Sequence, residues 1–300
     1  MAAAGVYNSL YPTEYLLETP VWDLPTNTED PDLLTSMLKA RLDAQLAVAG
    51  LTGNPQIAFA LDLAFAAHKG RKRTNGNYID HPMRATIYLL DSLGVHDPDI
   101  VAADIIHDVG EDEYKRVINW YGDGNLILNE AGEPDINANV AKAFDALHST
   151  RKLSERTLDI ANRVTVPSFE EHLAVIEEDR KWAVKTGLFL SHIALEVITC
   201  PAAVVVKRSD LKDNAVDNHH THGPAKMIRS DKKYYALWKP MDAALDDPDC
   251  IIKNPAIRAE TRLEFWEGKG RAEARLVEAG VSLHGLAKEI GIDPKLLLDM

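Results

Sequence analysis

Leu34, Leu38, Leu42 and Leu46 recur at every fourth position, the spacing of one helix face, and predict a helix from Leu33 onward. Gln56 to His68 is dense in Ala, Leu and Phe, the composition of a buried helix. Gly70 and the run Thr74-Asn75-Gly76-Asn77 then break it. Pro82 predicts the first position of a helix over Met83 to Leu93. Asp97-Pro98 repeats that start signal, with Asp97 as N-cap and Ile100, Val101, Ile105, Ile106 and Val109 as the apolar positions that follow. Leu126-Ile127-Leu128, a turn at Asn129 to Pro134, and Ile136 predict a small hairpin, the only β element expected. Helical patterns resume over Ala138 to His148, Phe169 to Gly187, Leu188 to Val197, Ala202 to Val216, Lys232 to Leu245 and Ala256 to Trp266.

This pattern predicts an all-α protein, a helical bundle with appendages at both ends. Residues 1–31 read as an irregular arm, interrupted by Pro12, Pro20, Pro25 and Pro31. Residues 32–250 read as the main domain, with an insertion at about 122–160, and residues 251–300 as a C-terminal helical extension. Tyr7, Tyr11, Tyr15 and Trp22 in the arm predict packing on the chain's own domain or on a second subunit.

Composition narrows the function. The chain has 300 residues, 46% of them hydrophobic, which is enough for a sizeable core. Its net charge of −13 disfavours nucleic acid and anionic membrane as partners. Two cysteines, Cys200 and Cys250, exclude a disulfide scaffold and a cysteine zinc cluster. No apolar run approaches the roughly 18–20 residues of a spanning helix, and no signal segment is visible, so a cytoplasmic location is expected.

The chemistry concentrates in His107-Asp108-Val109-Gly110-Glu111-Asp112. Residues three and four apart on a helix share a face. His107 lies four residues before Glu111, and Asp108 four before Asp112. One turn thus presents an imidazole and three carboxylates, whose mutual repulsion a cation resolves. On one reading His107 and Asp108 bind a metal while Glu111 and Asp112 handle a water. The other reading is a solvated acidic helix end. Apolar Ile105, Ile106 and Val109 place the neighbouring turn in the core, where bordering charges need partners.

Two further segments carry matching residue types. His81, in Tyr78-Ile79-Asp80-His81-Pro82, stands where a loop enters a helix. Asp210 and Asn214 interrupt the apolar run that begins at Val204. Two histidines and two aspartates suit manganese, iron or zinc without choosing among them. Cations gather at the same places, with Lys69, Arg71, Lys72 and Arg73 before His81, and Lys207, Arg208 and Lys212 around Asp210. In an acidic chain this focuses positive charge on an anionic ligand, phosphate being the natural match; the alternative is a solvated basic loop.

In that order, His81, His107-Asp108 and Asp210 resemble the HD-domain superfamily of metal-dependent phosphohydrolases. The branch most similar is the RelA/SpoT-type hydrolase domain. Ala67-His68-Lys69-Gly70, then Arg73, Gly76 and Tyr78-Ile79-Asp80-His81-Pro82 resemble its opening, and Glu111-Asp112 its extended signature. Val164-Thr165 and Lys207 to Asn214 resemble its later segments. The resemblance covers roughly residues 56–245, without a synthetase half. It implies an HD fold and removal of the 3′-pyrophosphate of guanosine tetra- or pentaphosphate. It implies one divalent metal, manganese foremost and iron or zinc as alternatives, on His81, His107, Asp108 and Asp210. Glu111 and Asp112 would be catalytic, managing water and protons. Arg71, Lys72, Arg73, Lys207 and Asn214 would bind a small nucleotide substrate. Gly110 replaces an apolar residue of the signature and is expected to loosen that turn. Other expectations are an HD hydrolase for a different nucleotide, or a catalytically silent nucleotide-binding regulator.

The remaining candidates read as structural. His68 is expected to pack at a helix end beside the site, and His219, His220 and His222 to lie in a solvated loop. Ser209 has no nucleophile-elbow context. The tail from Ser282 to Asp293 faintly resembles half of a helix-turn-helix and is expected to dock on the main domain or on a second subunit.

Overall fold

The computed structural model describes residues 31–221, apart from 74–75, 179–180, 182–184, 186–187 and 190–191; the side chains at 194 and 215–221 also lie outside the description. The arm, the segments 232–245 and 256–266, His222 and the tail therefore fall outside the described residues; positions 219 and 220, expected in a loop, belong to the helix Pro201–Thr221, with their side chains outside the description.

The described residues are mostly helical. Helix α1 (Pro31–Val48) buries Leu34, Leu38, Leu42 and Leu46, the four positions of its leucine stripe. Helix α2 (Pro55–Ala67) starts on Asn54, whose side chain accepts from the amides of Gln56 and Ile57. A two-stranded antiparallel ribbon follows, β1 (Lys72–Arg73) against β2 (Gly76–Asn77). Then come α3 (Asp80–Asp91), α4 (Pro98–Tyr121), α5 (Ile136–Ser149), α6 (Glu155–Val164), α7 (Glu170–Ala174), a π-helical turn (Ile193–Val197) and α8 (Pro201–Thr221).

Helix α4 is the axis of the bundle, packed by α2, α3, α5, α6 and α8. Asp97 caps it through the Asp99 amide and Pro98 occupies its first turn, as the Asp-Pro signal predicts. Its residues Ile100, Val101, Ala102, Ala103, Ile105, Ile106 and Val109 are all buried. Small residues of α2 (Ala60, Ala64, Ala67) are fully buried and let its backbone come close. Among the described residues no helix is long and apolar enough to cross a membrane.

Four details depart from the sequence expectations. The ribbon at 72–77 was not expected. It is allowed by Gly76, whose φ of +158° few side-chain-bearing residues adopt, and where a Cβ would meet Asp80 Oδ2 at 2.5 Å. The expected hairpin at 126–136 shrinks to a single bridge between Leu128 and Pro134. Pro134 has no amide to extend a ladder, and the Asn129 side chain accepts the Ala131 and Glu133 amides instead. Helix α3 begins at Asp80, not Met83, so Pro82 is its third residue; a first-turn amide has no intrahelical partner, and proline loses nothing there. Helix α6 was not expected and runs across the end of the 122–160 segment; it is capped by Ser154 through the Thr157 amide and buries Thr157, Leu158, Ile160, Ala161 and Val164. Between α7 and the π-helical turn, residues 178, 181, 185, 188, 189 and 192 are helical, in line with the helical pattern expected there.

Gly110 also differs from its expected role. It is a fully helical position where α4 meets α5, and a Cβ there would lie 2.6 Å from Phe144 Cε2. The glycine makes room for an aromatic ring. The break in α4 comes three residues later, at Glu113, with φ −127° and ψ 18°.

Candidate metal centre

Three helices bring the predicted ligands together. His81 comes from the first turn of α3, His107 and Asp108 from mid-α4, and Asp210 from α8. His81 Nε2 lies 3.3 Å from His107 Nε2, 3.4 Å from Asp108 Oδ2 and 3.2 Å from Asp210 Oδ1. His107 Nε2 is 3.2 Å from Asp108 Oδ1 and 3.7 Å from Asp210 Oδ1. Ligand-type atoms of His81, His107 and Asp108 lie within 4.8 Å of one another, a cluster able to hold a metal ion. Asp210 Oδ1 lies beside both imidazoles as a further ligand-type atom, outside that three-residue cluster.

The hydrogen bonds on the far side of each ring fix what faces the centre. His107 Nδ1 lies 2.6 Å from the Asp104 carbonyl oxygen, which can only accept, so Nδ1 carries the hydrogen. His81 Nδ1 lies 2.6 Å from Asp213 Oδ2, and Asp213 is gripped by Arg84 through Nε at 2.6 Å and Nη2 at 3.0 Å. Arg84 holds the Asp213 carboxyl well below the usual carboxylate range despite burial, so this Nδ1 also donates. Both neutral rings then present an Nε2 lone pair to one point. Two lone pairs 3.3 Å apart beside two carboxylates are relieved by a positive charge at that point, either a proton on one Nε2 or a metal ion.

The electrostatics agree. Burial opposes charge on His107, but Asp108 and Asp210 override it and push its pKa up to about 10. Burial would raise the Asp108 carboxyl, yet His107 and His81 hold it down. Asp210 is likewise raised by burial but brought well below its ordinary value by Lys207 and the two imidazoles. A pocket that drives histidines to protonate and carboxylates to ionise is one built for positive charge.

The support is buried and interlocked. Asp104, fully buried in α4, accepts from Thr86 Oγ1 of α3 at 2.7 Å and from Ser209 Oγ of α8. Asp104 thus ties the three helices together. Lys207 donates to the Val164 carbonyl at 3.2 Å and pairs with Asp210 Oδ2 at 2.8 Å. Its ammonium is engaged in the wall of the site. Asn214 donates to Asp210 Oδ1 at 2.6 Å and accepts from Arg73 Nη2 at 3.4 Å.

Glu111 and Asp112 stand at the mouth. Glu111 Oε2 accepts the Val166 amide at 3.1 Å, and crowding by protein pushes its carboxyl up to about 7, with Lys207 opposing. Desolvation also raises Asp112, helped by Asp108. Tyr78 stands between Asp108 and Asp112, its hydroxyl 3.0 Å from Asp108 Oδ2 and bonded to Asp112 Oδ2. The Tyr78 ring stacks on His68 with centroids 4.6 Å apart, and the guanidiniums of Arg71 and Arg73 lie over it at 4.9 and 4.8 Å. Lys72 is exposed and bonds Asn77 Oδ1 at 2.5 Å across the ribbon, on the strand position next to half-buried Arg73.

The sequence reading did not assign Asp213, Arg84, Tyr78 or Asp104 to the site. Asp213 carried a signal, since it follows Asp210 by three residues on the same helix. Arg84 similarly follows His81 by three. Asp104 precedes His107 by three but reads as another acid in an apolar run.

No family model matches the chain, and no curated protein or solved structure matches it.

Proposed function

We propose that this chain is a cytoplasmic, metal-dependent phosphohydrolase of the HD type acting on a phosphorylated nucleotide, with the 3′-pyrophosphate of guanosine tetraphosphate as the leading substrate. The observation that carries the reading is the pair of Nε2 atoms 3.3 Å apart, each tied off at Nδ1, facing two aspartates. His81, His107, Asp108 and Asp210 would hold one divalent ion, manganese foremost. Bound there, such an ion supplies Lewis-acid polarisation of a phosphoryl oxygen and eases ionisation of water.

The chain's own residues do the rest. Glu111, whose carboxyl is pushed up to about 7, accepts the proton of the attacking water, and Asp112, which accepts a hydrogen bond from the Tyr78 hydroxyl, helps orient that water. The new bond is from water oxygen to phosphorus, the P–O3′ bond breaks with its electron pair on O3′, and O3′ takes up the proton passed on by Glu111 directly or through solvent, leaving guanosine diphosphate and pyrophosphate. Arg71 and Arg73, stacked on Tyr78 beside the centre, offset the phosphoryl charge. Asn214 links the nucleotide side to Asp210.

The test is turnover of guanosine tetraphosphate by metal-stripped full-length protein given manganese, with products resolved and Glu111→Gln alongside. Release of guanosine diphosphate and pyrophosphate, abolished in the variant, is the expected result. Bound manganese without turnover would overturn the alarmone substrate. A screen of other nucleotides then decides between another substrate and a silent binder.

A further inference from the structure

His68 closes α2 as its C-cap residue, is 2% exposed, and has no hydrogen-bond partner at either ring nitrogen. A buried neutral imidazole carries one N–H, and leaving it without an acceptor lowers stability. Phenylalanine would stack on Tyr78 equally well without that cost, so the ring nitrogens need a reason. Burial keeps the ring neutral, pulling its pKa down to about 4.

An acceptor stands just out of reach. Glu113 Oε1 is 4.0 Å from His68 Nδ1 and is held instead by Arg71 Nη1. Its other oxygen pairs with Arg116 Nε at 3.3 Å. Arg116 also donates to the carbonyls of Ala67 and Lys69, the two neighbours of His68, so Glu113 and the end of α2 share one clamp. Glu113 occupies the kinked position of α4, where its backbone is not helical. Arg71 has a partly exposed side chain (38%) and lies over the Tyr78 ring, whose hydroxyl contacts Asp108 and Asp112. A phosphoryl anion at the centre is thus one tyrosine ring from Arg71.

We propose that Glu113 is a shared acceptor, held by Arg71 while no anion is bound and passed to His68 when Arg71 engages a phosphoryl group. Arg116 stays on Glu113 throughout, so the carboxylate never loses its counter-charge. Closing 4.0 Å to a hydrogen bond requires only rotation of the Glu113 side chain and a small shift of the ring. His68 and Glu113 are positioning residues here, since neither touches the phosphoryl group. The exchange offsets the loss of the Arg71–Glu113 pair and so favours anion binding. It rests on the reading that the ligand is a phosphoryl anion, and its test needs no turnover.

The probe is inorganic pyrophosphate, titrated calorimetrically into the full-length protein without metal. His68→Phe keeps the stack and removes the donor; it is expected to weaken binding about three- to tenfold, the size of one net hydrogen bond. In a Glu113→Gln background the same substitution is expected to have a different and smaller effect. Nitrogen-15 resonances of the His68 ring should move to a hydrogen-bonded donor position on adding pyrophosphate, a signature that a purely structural stack does not produce. Unchanged His68 resonances in a protein that binds pyrophosphate would overturn the exchange. So would an equal effect of His68→Phe in both backgrounds, or no pyrophosphate binding by the wild type. Circular dichroism and thermal melting of each variant verify folding. Failure of nucleotide hydrolysis with the exchange intact would fall on the proposed reaction alone.

Discussion

Asp213→Asn tests the support of the centre most directly, because Asp213 touches neither solvent nor the converging ligand atoms. It is fully buried, accepts from His81 Nδ1 at 2.6 Å, and binds Arg84 with both oxygens. Asparagine keeps the shape, removes the charge and replaces one acceptor with a donor. Arg84, only 7% exposed, then loses the carboxylate that grips it with both oxygens. Breaking one half of a buried ion pair costs about 3–5 kcal/mol. A second, separable effect falls on His81. Without an ionised acceptor its Nδ1–H is no longer fixed, and the ring can turn or change tautomer. Losing such an outer partner lowers metal affinity about 10- to 100-fold, or about 1.4–2.8 kcal/mol at tenfold per 1.4 kcal/mol. The two effects are read by urea unfolding and by manganese titration of the folded variant. The folded carboxyl titrates below its unfolded value, so its stabilisation is present above about pH 4. It is lost as pH falls toward the folded value, and wild type and variant should converge in acid. Manganese affinity within twofold of wild type in a folded Asp213→Asn protein would refute the claim that His81 is a ligand held by this pair.

Three other outcomes are expected. Gly110→Ala should destabilise by about 1–3 kcal/mol, since its Cβ would sit 2.6 Å from Phe144 Cε2; Phe144→Leu in the same chain should recover part of this in urea melts. Glu111→Gln should slow nucleotide hydrolysis about 10²- to 10⁴-fold with little change in manganese affinity. Because the base form of Glu111 is the active one, wild-type rate should rise through about pH 7, a limb absent from the variant. Asp99→Asn should flatten the acid loss of stability. Burial raises Asp99, but Gln56, Ser154 and Arg156 together hold it below its ordinary value, so its contribution is present above about pH 4 and lost on acidification. At neutral pH the cost should be only about 1 kcal/mol, because the site is partly solvated.

What the sequence determined by itself was local. The leucine stripe of α1 and the Asp-Pro start of α4 are statements about neighbours within a few residues, and the backbone obeys them. The acidic turn His107 to Asp112 was legible for the same reason, because i and i+4 geometry is carried by one helix. The hydrophobic pattern also sufficed for the helical class. Tertiary structure alone decided what completes the centre. Asp213 meets His81 across a sequence separation of 132, and Ser209 meets Asp104 across 105. No periodicity encodes those contacts, since they depend on how α3, α4 and α8 cross. Gly110 looked like a weak point until Phe144 of a neighbouring helix was seen against it. The protonated nitrogen of each histidine follows from its acceptor, and each acceptor is set by the fold: the carbonyl of Asp104 and the carboxylate of a distant Asp213. The residue types were therefore written locally, while the convergence that makes them a cluster able to hold a metal ion came from packing.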